Sequence, residues 1–147
     1  MVSPRYEPVV GGLVTHVAAL ATRVASAGHA VEILTQEHRH RGLPAVETVS
    51  GVVVRRFAIL GGGDRYPQSP ELWRHLIERA DDYDLVHAHS YHATPALAAS
   101  LAHCRRLVFT PHFHGSGHTW PVRLAHLPYR LVGQLVFGRA DRVVCVS

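Results

Sequence analysis

The chain has 147 residues, 47% of them hydrophobic and 18% charged, which suits one globular domain with a core and excludes a disordered protein. Its net charge is +4, and all 15 of its Lys and Arg positions are arginine. This charge suits phosphate-bearing ligands or an anionic membrane surface. Nucleic-acid binding is disfavoured, because the arginines are scattered and no aromatic residues are interleaved with them.

The sequence has neither a targeting or membrane-spanning segment nor the cysteines of a disulfide-rich protein. No apolar run is long enough to cross a membrane, and the first residues do not have the pattern of a signal peptide. Cys104 and Cys145 are too few for a disulfide framework. We therefore expect a cytoplasmic protein with reduced thiols.

The first half of the chain predicts a helix, three strands and a second helix. Apolar residues at helical spacing predict a helix over residues 13–27, which ends at Gly28. The segment "HAVEILT" predicts a buried strand ending at Thr35, and "AVETVSGVVVRRFAI" predicts two strands around a Ser50–Gly51 turn. The segment "LGGGDRYPQSP" predicts a loop, before a helix with Pro70 at its first position.

The second half alternates strands and helices. Strands are predicted in "YDLVHAHS", "RLVFTPH" and "DRVVCVS", with helices through "PALAASLAH" and over residues 122–138. This alternation predicts an α/β fold, a Rossmann-like parallel sheet with helices on both faces. The first strand of such a sheet is central, yet only "MVS" precedes Pro4. We therefore expect a sequence that starts late at its N-terminus. Because the chain also ends directly on a predicted strand, we expect it to be cut from a longer one at its C-terminus.

Gly11 and Gly12 stand immediately before the first predicted helix, where two interpretations are open. Glycines cost backbone entropy, so a tight turn could require them. Alternatively, they could let a phosphate approach the backbone amides at the positive end of the helix. The spacing is not that of a dinucleotide-binding GxGxxG motif, so NAD binding is not expected.

Several histidines follow predicted strands, at the sheet edge where open α/β proteins bind ligands. His87 and His89 are two residues apart and should share a face. A neutral His112 could donate a hydrogen bond to charge on a leaving group, or it could cap its own loop. Together with His114 and His118, these residues would form a group of five neighbouring histidines that could be considered for zinc. We expect no metal, because no carboxylate or cysteine lies at ligand spacing beside them.

Four arginines lie on or beside the last predicted helix, and two interpretations of them are open. They could face an anionic lipid leaflet or simply be solvated. The four are Arg123, Arg130, Arg139 and Arg142.

Four segments in order, "SPRYEPVVGGLVTHVAALATRVASAGHAVEILT", "YDLVHAHS", "VFTPHFHG" and "ADRVVCVS", resemble the N-terminal half of family 4 retaining glycosyltransferases, which have the GT-B architecture. In GT-B enzymes two Rossmann-like domains face each other across a cleft. The resemblance implies that residues 1–147 are the acceptor-side domain and that the C-terminal, donor-binding domain is absent from this sequence.

The resemblance also implies roles for individual residues. Gly11 and Gly12 would lie beside the donor diphosphate and the acceptor, and His112 would be catalytic, contacting the transferring sugar and diphosphate. His89, His114 and Gly115 are expected to bind substrate. No metal or cofactor is expected beyond a nucleoside diphosphate sugar as co-substrate.

The expected function of the full enzyme is transfer of a sugar from a nucleoside diphosphate sugar to a hydroxyl acceptor, with retention at the anomeric carbon. The acceptor could be a lipid or a glycan, and the enzyme could work in the cytoplasm or at the inner face of the membrane. The isolated domain is expected to be inactive. Two alternatives remain: a stand-alone module that binds a phosphorylated ligand without catalysis, and a zinc hydrolase built on the histidines.

Overall fold

The structure, a computed structural model, describes residues 1–62, 67–91, 93–112 and 127–146, with residues 127–132 described by their backbone alone. Helices and strands alternate along most of the chain. The helices are α1 Gly12–Ser26, α2 Pro70–Arg79, α3 Thr94–Leu101 and α4 Leu127–Arg139. The strands are β1 Glu32–Glu37, β2 Val46–Val49, β3 Val52–Ala58, β4 Val86–His89, β5 Leu107–Thr110 and β6 Arg142–Val143.

The first residues of the chain occupy the middle of the sheet. Val2 forms parallel bridges with Leu34 of β1 and with Ala88 of β4. Its N–H donates to the carbonyl of His87 at 2.7 Å, and its carbonyl accepts the N–H of His89 at 3.0 Å. Short as it is, the "MVS" segment therefore takes the central place that a first strand has in a Rossmann-like sheet. The full order is β2–β3–β1–Val2–β4–β5–β6.

All the strand pairs are parallel except β2 with β3. These two strands form the predicted hairpin, in which Ser50 and Gly51 have φ angles of 51° and 78°. Two consecutive left-handed residues are typical of the tight two-residue turns that match the twist of the strands. The hairpin places β2 at the edge of the sheet, beside β3.

Helices cover both faces of the sheet, as predicted. On one face α1 packs its buried residues Val14, Val17 and Ala21 against the strands. On the other face lie buried residues of α2, α3 and α4. The two faces alternate along a strand, since Ile33 belongs to the first cluster and Leu34 to the second. Parallel strands buried in this way are apolar on both sides, which explains their short hydrophobic segments.

Element boundaries agree with the predictions to within a few residues. Pro70 opens α2 as predicted, and Ser69 caps the helix, because its Oγ accepts the N–H of Leu72 at 3.3 Å. β1 continues two residues past Thr35, to Glu37. The last predicted strand is shorter than expected, since only Arg142 and Val143 pair with β5. The beginning of the last predicted helix, residues 122–126, lies outside the described residues.

Membrane-spanning helices were sought within the described ranges. None of the helices found there combines the length and the apolar character that a bilayer crossing requires.

Candidate functional site

Two histidines of β4 point toward the face of the sheet that α1 covers. Val86 and Ala88 belong to the core on the opposite face, so the alternating His87 and His89 project toward α1. Their ring centroids are 4.1 Å apart, which confirms the predicted shared face. His87 is fixed by a 2.8 Å hydrogen bond between its Nε2 and the Oγ1 of Thr110 on β5.

His16, His89 and His112 come together at the carboxyl edge of the sheet, and we call them the imidazole cluster. The Nδ1 of His89 is 3.2 Å from the Nε2 of His112. The ring of His16, on the second turn of α1, lies 5.0 Å from the His112 ring and 6.0 Å from the His89 ring, measured between centroids. Since the His89–His112 bond needs one donor and one acceptor, the tautomers of these two rings are coupled.

Burial keeps the β4 histidines neutral at physiological pH. Removal from water lowers the pKa of His87 to about 4. The pKa of His89, which is fully buried, is lowered further by the same desolvation. The Nε2 of His89 is buried and has no hydrogen-bond partner in the part of the chain that the structure describes. A neutral imidazole with an unmatched nitrogen can still bind a ligand atom.

The loops that follow β4 and β5 each contain one non-glycine residue in an unusual backbone conformation. Ser90 has φ 79° and His112 has φ 47°, both in the left-handed region. The two loops are tied together, because the N–H of Ser90 donates to the carbonyl of Thr110 at 3.0 Å and that of Tyr91 to Pro111 at 2.7 Å. Left-handed non-glycine residues cost about 1–2 kcal/mol each and cluster at functional sites. The surrounding bonds thus hold His112 in a conformation that it would not adopt in a free chain.

The imidazole cluster also meets the minimum requirement for a metal site. Its three potential ligand nitrogens lie within 4.8 Å of one another, and three protein ligands suffice for an open zinc site. Two nitrogens bound to one zinc ion are however only about 3.4 Å apart in tetrahedral geometry. The Nδ1 of His89 and the Nε2 of His112, 3.2 Å apart, are already near that spacing. Zinc bound through these two nitrogens would displace the proton between them and so break their hydrogen bond. The expectation of a metal-free site stays a prediction.

A cleft of about 380 Å³ opens at the start of α1, and we call it the Gly-Gly cleft. Gly11 and Gly12 line it, opposite Ser90 and the first residues of α3. A Cβ added to either glycine would have no atom within 4 Å, and the φ of Gly11 is 172°, in the extended region. Neither crowding nor backbone conformation requires glycine here. The tight-turn interpretation therefore loses its support, and the phosphate-binding interpretation stays a prediction.

Neither the N-cap residue nor the first turn of α1 supplies a group that compensates the positive end of this helix. Gly11 provides no side-chain cap, and the first turn of the helix contains no acidic residue. The first amide N–H groups of a helix have no intrahelical partner, and they carry about half a positive charge. This helix end can therefore bind an anion that enters the Gly-Gly cleft.

Gln36 adds an unsatisfied polar group to the wall of this cleft. It is 3% exposed, and neither amide atom of its side chain has a hydrogen-bond partner among the described residues. An unpaired buried amide costs about 1–3 kcal/mol unless a ligand or water satisfies it. The side chain lines the cleft, so a polar ligand there could both donate to and accept from it.

Comparison with known proteins identifies the family. The family model described as Glycosyltransferase Family 4 matches residues 10–147. The chain belongs to glycosyltransferase family 4. An uncharacterized glycosyltransferase of Methanocaldococcus jannaschii is 29% identical to it, over an alignment covering 79% of this chain and 30% of that protein. A sucrose-phosphate synthase of Thermosynechococcus elongatus superposes with a TM-score of 0.65 at 19% identity, covering 94% of this chain and 37% of the synthase.

These matches establish a family 4 domain with a GT-B-type α/β fold. At 19% identity the synthase supports the fold alone. The chain spans roughly a third of each relative's length, 30% of one and 37% of the other. Donor, acceptor and stereochemistry therefore belong to the proposal below.

The predicted site residues of this family 4 domain do not all lie at one place in the structure. Gly11 and Gly12 line the Gly-Gly cleft, whereas His89 and His112 join the imidazole cluster. None of the cluster's three histidines is among the described residues that line the cleft, although Ser90, next to His89, is. The remaining predicted site residues lie outside the described residues: His114, Gly115, His118 and Arg123. Arg139 and Arg142 are exposed, and of Arg130 only the backbone is described.

Sequence reasoning did not single out two residues of this region. His16 stands four positions after Gly12, so it lies one helical turn further along α1 and near the same sheet edge. Gln36 lies in a part of β1 that was predicted to be loop. A histidine in the second turn of the helix that follows the glycine pair is the signal that could have revealed His16.

Proposed function

We propose that this family 4 domain is the acceptor-side half of a glycosyltransferase that moves a sugar from a nucleoside diphosphate sugar to a hydroxyl acceptor. The proposal includes retention at the anomeric carbon. The nucleotide donor and retention are supported by the resemblance of the four sequence segments, and the family match supports transfer of a sugar.

The observation that carries the proposal is the uncompensated N-terminus of α1 at the Gly-Gly cleft. A diphosphate is a doubly charged anion, and the first-turn amides are donors that point toward it without reorganisation. Gly11 and Gly12 leave the space that close approach needs. In this proposal they bind the diphosphate of the donor, which becomes more negative as the sugar departs.

His112 is proposed to donate a hydrogen bond to the transferring sugar or its leaving group. His89 is neutral and buried, and its Nδ1 lies 3.2 Å from the Nε2 of His112. If His89 donates in that bond, the proton of neutral His112 is placed on Nδ1, which is the atom proposed to donate to the substrate. His89 then acts as a positioning residue, and it orients the ring in the way that a buried partner orients a catalytic histidine.

Most donor affinity is proposed to come from a second domain, in keeping with the GT-B architecture. The proposed place of work is the cytoplasm, with contact to the inner membrane face if the acceptor is a lipid. His114 and Gly115 are proposed to contribute to the acceptor pocket, as the resemblance implies.

The test uses the gene product as its whole reading frame encodes it. It is incubated with UDP-, GDP- and ADP-linked hexoses, and release of the nucleoside diphosphate is followed together with the anomeric configuration of the product. His112→Ala should lower kcat about 10²–10³-fold, the usual effect of removing one donor to a developing charge. His103→Ala is the control, because His103 is exposed and follows the C-terminal end of α3, whereas the first residues of α3 line the cleft. Equal rates for the two variants would contradict the role of His112.

Two outcomes would favour the alternatives. Saturable binding of nucleoside diphosphates without turnover of any donor would indicate a binding module. Stoichiometric zinc in protein purified without added metal, lost together with activity in His16→Ala, would indicate a metal centre at the imidazole cluster. Full activity in metal-free protein would exclude the second alternative.

A further inference from the structure

A second cavity adjoins the Gly-Gly cleft, and its polar lining is basic. It has a volume of about 440 Å³ and is lined by Arg5, His38, His40 and Arg41, together with the apolar segment 8–10. No acidic side chain is among the described residues that line it. We call it the basic cavity. It shares Arg5 and residues 9–10 with the Gly-Gly cleft, so the two spaces are immediate neighbours.

Two segments distant in sequence build the basic cavity. One is the loop that leads into α1, and the other is the one-turn 3-10 helix Arg39–Arg41 that follows β1. The first segment is anchored by Arg56, whose Nη2 donates to the carbonyl of Glu7 at 2.9 Å. The second turns back at Gly42, which has a left-handed φ of 66°. The tertiary fold, and not sequence adjacency alone, therefore gathers these basic groups around one space.

The charge of the basic cavity is only partly neutralised. Arg41 lies 3.5 Å from the carboxylate of Glu37, a carboxylate that also accepts the N–H of His38 at 2.9 Å. A separation of 3.5 Å exceeds an ordinary charged hydrogen bond, and the Arg41 side chain is 37% exposed, so this pair is weak. The guanidinium of Arg41 can turn toward a second anion at small cost. Arg5 and Arg41 together give the lining of the cavity two formal positive charges.

We propose that the basic cavity binds a phosphate group of the acceptor, so that the acceptor of this glycosyltransferase is a phosphorylated molecule. This inference rests on the proposed function, in which the adjoining Gly-Gly cleft holds the donor diphosphate. Guanidinium groups bind phosphate through paired N–H···O bonds and stay charged at every physiological pH. An acceptor anchored here by its phosphate can place a hydroxyl in the neighbouring cleft.

The phosphate could belong to a soluble sugar phosphate or to a phospholipid headgroup. The whole gene product is titrated with inorganic phosphate and with glucose 6-phosphate at fixed ionic strength. In parallel it is sedimented with vesicles of phosphatidylglycerol and phosphatidylcholine, and with vesicles of phosphatidylcholine alone. Binding to the soluble probes indicates the first source, and binding only to the anionic vesicles indicates the second.

Arg41→Gln is the test variant, and Arg39→Gln is its matched control. Arg39 belongs to the same turn but pairs with Glu71 at 3.5 Å, is 76% exposed and does not line the basic cavity. The two variants change the net charge equally, so general electrostatic attraction falls by the same amount in both. We expect Arg41→Gln to weaken binding of the phosphate probe or the anionic vesicle about tenfold and Arg39→Gln to leave it nearly unchanged.

The outcomes separate this inference from the proposed function. Equal effects of the two variants, or no saturable binding of any of the three anionic probes, would overturn the phosphate subsite. Binding of nucleoside diphosphates is measured in the same samples and should be unaltered in Arg41→Gln. Intact nucleoside diphosphate binding with a failed phosphate test would leave the donor site standing and refute the acceptor subsite alone.

Discussion

Stability and ligand binding make opposite demands on Gly12. A glycine within a helix costs backbone entropy, and here no neighbouring atom excludes a Cβ. Gly12→Ala should therefore raise the free energy of unfolding by about 0.5–1 kcal/mol. It should also lower affinity for nucleoside diphosphates by about tenfold, because the Cβ occupies the space through which a phosphate approaches the amides.

Gly138→Ala is the matched control for this experiment. Gly138 lies in the last turn of α4, and a Cβ there also meets nothing within 4 Å. It should stabilise the protein by a similar amount and leave nucleotide affinity unchanged. Urea unfolding and calorimetric titration with UDP, GDP and ADP measure the two effects. Unchanged binding in Gly12→Ala would remove the glycine pair from the ligand site.

The buried β4 histidines predict a loss of stability in mild acid. Burial lowers the pKa of His87 from 6.5 to about 4, so between these values the unfolded chain binds a proton that the folded chain excludes. Stability is therefore complete above about pH 6.5 and falls as the pH drops toward 4, by up to about 1.4 kcal/mol per pH unit for each such histidine. His89 acts in the same direction.

Urea midpoints at pH 7.5, 6 and 5 measure this dependence. His87→Gln should flatten it, since glutamine keeps a group able to hydrogen-bond Thr110 and does not titrate. His103→Gln should keep the slope of the unmodified protein, because His103 is exposed. Parallel curves for all three proteins would show that His87 is not protected from protonation.

On the scale of the elements, Arg56 of β3 joins the sheet to two loops. It is 9% exposed, pairs with Glu47, and donates to the carbonyl of Pro44 at 3.3 Å as well as to that of Glu7. Arg56→Met should lower the free energy of unfolding by about 2–3 kcal/mol, because it leaves these partners unmatched. It should also weaken nucleotide binding, because the loop that Arg56 holds leads to Gly11.

Arg55 is the control residue on the same strand. Its ion pair with Glu32, at 2.7 Å, is more exposed, and Arg55 bonds to neither of those loops in the described structure. Arg55→Met should therefore cost about 1 kcal/mol or less. Thermal or urea unfolding compares the two variants, and equal losses of stability would contradict the anchoring role of Arg56.

Helices and strands could be predicted from the sequence where neighbouring residues alone determine where they begin or turn. Periodicity located α1, Pro70 located the start of α2, and the Ser50–Gly51 turn defined the hairpin. Local sequence patterns did not predict where strands end, because strand ends depend on pairing with neighbouring strands. β6 stops at Val143, and Gln36 continues β1 beside Phe57.

The candidate site shows the same division. The edge position of His89 and His112 followed from strand endings, but grouping them with His16 required the packing of α1 on the sheet, which brings the His16 ring beside theirs. His16 and His112 are far apart in sequence, and no local spacing relates them. Gly11 and Gly12 were recognisable, whereas the argument against a tight turn needed the φ of Gly11 and the empty space around both glycines.

On the scale of the whole molecule, the family 4 domain is about a third of the relatives that it matches. The 147-residue chain alone is predicted to bind anionic ligands at its cleft without transferring sugar, because donor affinity in the proposed mechanism comes mainly from a second domain. Radiolabelled donors with the isolated chain and with the whole gene product provide the comparison. Robust turnover by the isolated chain would place the complete catalytic machinery within these residues.

The position of Val2 has a consequence for how the protein is made. Translation delivers Val2 before Leu34 and long before Ala88, the two partners between which it lies. While the ribosome extends the chain, the centre of the sheet lacks its neighbours, and the hairpin and α1 can form first because their contacts are local. The two halves of the sheet join only after β4 has emerged. The sheet edge with the imidazole cluster, which needs both halves, is thus among the last parts of this domain to be assembled.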